Sequence, residues 1–185
     1  MKRILLVSTL AASILLADSS SYEKTANKVA KELLKTLGGN LKKHLKANGP
    51  IDALHFCSQN AYNLTQKVSD KFGKDIDVKR ISLKPRNPAN TPDENEAEVL
   101  LKMQQQIKSG EKPHNVVVET PTKAIVYKPL VINKKACLIC HGDLSKKPKL
   151  AKAIKDIYPA DKATGYKMGD LRGAIVVTIK KGEKR

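Results

Sequence analysis

Residues 116–142 read VVVETPTKAIVYKPLVINKKACLICHG. The first part holds two β-branched apolar runs, Val116 to Glu119 and Lys123 to Leu130, on either side of Thr120-Pro121-Thr122. That pattern predicts two strands joined as a hairpin. The second part is a loop, Asn133 to Gly142, that carries Cys137-Leu138-Ile139-Cys140-His141. A strand pair therefore feeds the cysteine run, so the chain is not all helix.

Working outward, the N-terminal side is helical. Val29, Leu33, Leu34, Leu37, Leu41 and Leu45 recur at helical spacing within a helix expected over Tyr22 to Leu45, with a kink or break at Gly38-Gly39. After Gly49-Pro50, a second helix is expected from Pro50 to about Phe72. Its apolar line of Leu54, Cys57, Ala61, Leu64, Val68 and Phe72 places Cys57 on the buried stripe. Ile76 to Lys84 alternates like a strand. Pro85 to Pro92 is a polar, proline-rich loop, and Thr91-Pro92 reads as the capped start of a helix running to about Ser109. Beyond the cysteine run, Leu150 to Ile157 is a short helix and Gly173 to Lys180 a last strand, rich in Val and Ile. Helices first, then strands alternating with helices, give an α+β domain in which N-terminal helices pack on one small antiparallel sheet. No repeat or interdomain linker interrupts it.

The Cys-x-x-Cys-His run points to covalent haem c. Two sulfurs must reach the two vinyl groups on neighbouring edges of one porphyrin, and two intervening residues set that separation. His141 then lies under the ring as an iron ligand. The rival readings fit less well. A thioredoxin-type pair opens a helix in a βαβ unit and structural zinc wants four ligands, while a plain disulfide across two residues remains open. The iron's other axial position is open on residue logic to Cys57, Met168, His44, His55 or His114. Of these, Cys57 sits on a buried face and is the one cysteine without another role.

The first 17 residues read as an export signal: Lys2 and Arg3, then the uncharged apolar run Ile4 to Ala17, then Asp18. That run is short for a membrane span, and no second one approaches the length, so no stable span is expected after cleavage. Residues 18–185 form one haem domain, and the expected location is the periplasm. The chain carries 35 Lys and Arg against 18 Asp and Glu, a formal charge of +17, and its lysines are spread along its whole length. Loss of the leader removes two of those charges. The plainer reading is a solvated lysine-rich surface. Where such a charge does steer a partner, the expected one is an acidic redox or signalling protein, and export argues against nucleic acid.

Several stretches together resemble a known family: Ala53-Leu-His-Phe-Cys57, Arg80 to Asn90 (RISLKPRNPAN), Tyr127-Lys-Pro-Leu130, Ala136 to Asp143, and Tyr158 to Gly173. In order and spacing the chain resembles the c-type haem domains with a PAS-like fold and His/Cys haem ligation. These occur as free periplasmic proteins and as sensory parts of bacterial transducers. The resemblance implies a PAS-like fold, with haem c in a loop-and-helix pocket and Cys57 as sixth ligand opposite His141. It also sets the Arg-Asn-Pro loop against the haem, which makes Arg80 and Arg86 partners for the propionates, since a guanidinium pairs two-pronged with a carboxylate. A thiolate ligand favours Fe(III) and lowers the potential. Reduction would weaken that bond and open the iron to CO or NO. The expected function is redox or gas sensing or electron transfer. The alternatives are pure electron carriage in a periplasmic respiratory chain, ranked close behind, and a haem peroxidase-like enzyme, ranked third because Cys57 would close the face such catalysis needs. With no kinase or methyl-accepting segment in the sequence, any signal is expected to pass through a separate partner.

Overall fold

A computed structural model describes residues 13–182, with side chains from residue 19 onward. The export signal expected over 1–17 lies outside these residues except for its last five positions. There the backbone already belongs to the first helix, so the expected boundary at residue 17 falls inside it. Among the described residues no helix is long and apolar enough to cross a membrane.

Helix α1 (Ser13–Lys71) has two arms, residues 13–48 and 50–71, meeting at Gly49. Gly49 has φ 84°, the left-handed region that glycine enters without a Cβ clash, and Pro50 opens the next arm without needing an N–H partner. The break expected at Gly38-Gly39 is not there, and the helix runs through both. Two glycines cost about 2 kcal/mol of helix propensity. Packing of Val29, Ala30 and Leu33 just before them, each fully buried, offsets that cost. The corner is tied by His44 and Asp52, whose Nδ1 and Oδ2 are 2.6 Å apart, while the His44 ring stacks on Phe56 at 4.1 Å.

Among the described residues four strands follow: β1 (Ile76–Ile81), β2 (Val116–Glu119), β3 (Lys123–Val131) and β4 (Leu171–Lys180). They form one antiparallel sheet in the order β1-β4-β3-β2. The last strand thus lies inside, between β1 and the β2–β3 hairpin. Its side chains alternate between two cores. Ile175 and Val177 join Ala26, Val29, Ala30, Leu33 and Val68 of α1. Ala174 and Val176 join Leu100 and Met103 of α2 (Glu94–Lys108) on the other face. Because both faces are covered, the middle of the strand, Ala174 to Val177, reads as an unbroken apolar run. Each fully buried Val or Leu contributes about 1.5–3 kcal/mol.

Helix α2 is capped by Asp93, not by Thr91. The Asp93 carboxylate accepts from the Glu96 N–H at 2.8 Å and Glu96 Oε2 accepts from the Asp93 N–H, a complete capping box. Thr91 instead closes a 3-10 turn over Pro88–Asn90. The remaining helices are the single turn α3 (Leu138–His141) and α4 (Pro148–Ile157). The α+β architecture expected from the sequence is therefore present, with its sheet sandwiched between α1 and α2.

Candidate haem site

At the end of β3 the register shifts between Leu130 and Val131, and the strand lets go of its neighbour. Ile132 is then held by its N–H to Asp170 O and its carbonyl from Gly169 N–H, each 2.9 Å. The chain passes into a 3-10 turn (Lys135–Cys137) and directly into α3. The expected loop over 133–142 is thus largely helical. That matters chemically, because residues three apart share one side of a helical turn. Cys137 and Cys140 lie on one side, with His141 one further round.

The turn is wedged between two small clusters. Cys137 and Leu138 pack on Ile132, Ala163 and Tyr166. Ile139 and Cys140 pack on Leu54 of α1 and on Leu150 and Ile154 of α4. Cys57 is one helical turn beyond Leu54 and half-buried, as are Cys137 and Cys140, and all three are free thiols. Burial pushes the thiols of Cys57 and Cys140 up from their ordinary pKa, and Cys140 is itself close enough to raise Cys57 further, while Arg80 and Arg86 oppose that rise. The structure thus brings the far-off helix cysteine into the electrostatic reach of the motif.

His141 is half-buried. Its Nδ1 lies 2.8 Å from the Ala163 carbonyl. A carbonyl only accepts, so Nδ1 carries the proton and Nε2 keeps its lone pair. Burial lowers the imidazole pKa to about 3, with Arg172 and Arg86 adding to the effect. The ring is neutral at physiological pH and fit to bind a metal. The Tyr166 ring meets it edge-on at 6.2 Å, and two backbone bonds, Gly165 N–H to Gly142 O at 3.1 Å and Tyr166 N–H to His141 O at 2.9 Å, staple the 158–170 loop to the motif.

Three guanidinium groups surround this turn. Arg86 donates from Nε to Asp161 Oδ1 at 3.0 Å and from Nη2 to the carbonyls of Cys140 (2.7 Å) and Ala163 (3.1 Å). Those nitrogens are committed within the protein rather than free for a propionate. Arg172 donates to Ser82 Oγ at 2.8 Å and lies over the Tyr166 ring at 5.5 Å. Arg80, on β1, has a buried Nε with no hydrogen-bond partner among the described residues. Burial and the nearby Arg172 both pull its pKa down. Of the three, Arg86 alone has a carboxylate partner among the described residues.

The other axial candidates lie elsewhere. His44 is engaged by Asp52, His55 and His114 are exposed, and Met168 is 50% exposed. Among the described residues, no three or more His, Cys, Asp or Glu side chains are grouped to hold a bare metal ion. Sequence reasoning missed Asp161, the Ala163 carbonyl and Arg172. They lie inside the Tyr158–Gly173 stretch, whose chemistry shows only once the chain folds back on the motif.

The Tll0287-like family model matches residues 7–180. No curated protein matches the chain. A solved structure, the crystal structure of the cyanobacterial haem protein Tll0287, shares the fold with a TM-score of 0.63. The two are 18% identical, and the likeness covers 95% of this chain and 100% of that one.

Proposed function

We propose that this chain, which belongs to the Tll0287-like family, is an exported monohaem c-type redox protein with iron held between His141 and Cys57. The observation that carries this reading is Arg80. A buried guanidinium nitrogen without an acceptor costs about 1–3 kcal/mol, and it lies beside a second guanidinium, Arg172, that also has no carboxylate partner among the described residues. A ligand with carboxylates, such as the propionates of haem, satisfies both. The fit extends to the rest of the site: paired thiols on one turn, a neutral imidazole with a free Nε2, and a third thiol within electrostatic reach. The solved relative is itself named a haem protein.

Haem, when bound, supplies a one-electron iron centre. Cys137 and Cys140 would each add an S–H across one vinyl group, the sulfur bonding to carbon and the proton passing to the neighbouring carbon, with no oxidant needed. His141 would give Nε2 to the iron, held by the Ala163 carbonyl. Cys57 would give a thiolate from α1, which favours the oxidised metal. Arg80, with Arg172, would take the propionates. Export belongs to this reading, since haem c is attached outside the cytoplasm. So does a PAS-like arrangement, which an antiparallel sheet with helices on both faces supports. A low-potential centre suits redox sensing or electron transfer more than catalysis, with CO or NO as ligands to the reduced iron. The surface charge suits an acidic protein partner.

Optical and EPR spectra of the ferric protein beside Cys57→Ala test the ligand set. A low-spin thiolate signature in the wild type, lost in the variant, is expected. Identical spectra for the two would remove Cys57 from the iron.

A further inference from the structure

The Ala163 carbonyl oxygen serves two donors. His141 Nδ1 lies at 2.8 Å and Arg86 Nη2 at 3.1 Å. The same Arg86 nitrogen grips the Cys140 carbonyl, one residue before His141. Asp161 closes the circuit: its Oδ1 accepts from Arg86 Nε and from the Ala163 N–H, both at 3.0 Å. Arg86 and Asp161 side chains are only 11% and 6% exposed, so these bonds are little weakened by water. His141 is therefore hung from an oxygen whose position and electron density are both set by an ion pair 75 residues apart in sequence.

We propose that Arg86, locked by Asp161, is a positioning residue for His141 that orients the ring and raises the potential of the iron it binds. The inference rests on His141 being the iron ligand. A carbonyl already bonded to a cation has less lone-pair density for a second donor. It pulls less on the Nδ1 proton, the imidazole stays a weaker electron donor, and the oxidised iron gains less from it. Asp161 balances the Arg86 charge, so removing either partner changes the local field in opposite senses.

The test uses the purified full chain and the single variants Arg86→Gln, Arg86→Lys and Asp161→Asn. Two readouts are taken: the midpoint potential, and the solvent exchange of the His141 Nδ1 proton by nitrogen-resolved NMR in the reduced state. The expected result is a lower potential in Arg86→Gln and a higher one in Asp161→Asn. Proton exchange should quicken in Arg86→Gln, because the Ala163 carbonyl loses its anchor and the His141 bond opens more often even though it is stronger while made. Arg86→Lys should quicken it too while staying nearer the wild-type potential. A clamp that merely stiffens the loop would move both potentials the same way, and that result overturns the proposal. So does unchanged proton exchange in Arg86→Gln. A chain that purifies without haem fails the functional reading instead, and the Nδ1 proton in those same samples still decides the positioning role.

Discussion

The proton on His141 is fixed by a single oxygen, and much of the site follows from that. With Nδ1 bound to the Ala163 carbonyl and the pKa near 3, the ring offers Nε2 and stays neutral. Close fit matters equally at Gly173. It has φ 154°, and a Cβ there would stand 2.0 Å from the Ile81 carbonyl oxygen, so only glycine lets β4 approach β1 at this point. Gly173→Ala should destabilise the fold by about 2 kcal/mol or more, since backbone must shift as well as strain. Thermal unfolding measures this, and a midpoint equal to wild type would contradict the geometry. The Cys-x-x-Cys-His spacing was legible in the sequence because its meaning is local. The Arg86–Asp161 pair was not, because its partners, 75 positions apart in sequence, meet only once the chain between them has folded.

Helix α1 shows how an element can be misread and why. Gly38-Gly39 looks like a breaker by propensity, yet the chain turns at Gly49, where a positive φ and a proline coincide. Open space surrounds a Cβ at Gly38, whereas Gly49 needs its left-handed backbone. Gly38→Ala should therefore stabilise the protein by about 0.5–1 kcal/mol and Gly49→Ala destabilise it by about 1 kcal/mol. Denaturant unfolding of the pair checks this, and equal signs would refute the assignment of the corner. The same corner carries a pH dependence. Hydrogen bonding from His44, helped by Asn48, holds the Asp52 carboxyl below its ordinary pKa. A depressed carboxylate stabilises the fold above its unfolded value, near pH 4, and that contribution disappears as pH falls through the lower folded value. The stability gap between wild type and Asp52→Asn should hold from neutral pH to about pH 4 and close below it. A gap unchanged down to pH 2 would show that Asp52 acts without its charge. The strands were easier to read than their order. β-branched runs marked the hairpin and β4, but the insertion of β4 between β1 and β3 depends on long-range pairing that no local pattern carries.

At the scale of the molecule, α1 and α2 bury the sheet from both sides, and what remains for function is one end, where α3, α4 and the second arm of α1 converge. Beside three thiols and one neutral imidazole, the three guanidinium groups there have one carboxylate ion pair between them among the described residues. Such an excess of buried positive charge is costly unless an anionic ligand completes it. The most direct test is the intact mass of the chain purified after export from cells that attach haem c. The account predicts a chain heavier by one haem, with the porphyrin on the peptide containing Cys137 and Cys140 and lost on Cys137→Ala with Cys140→Ala. A chain with the mass of polypeptide alone would contradict it.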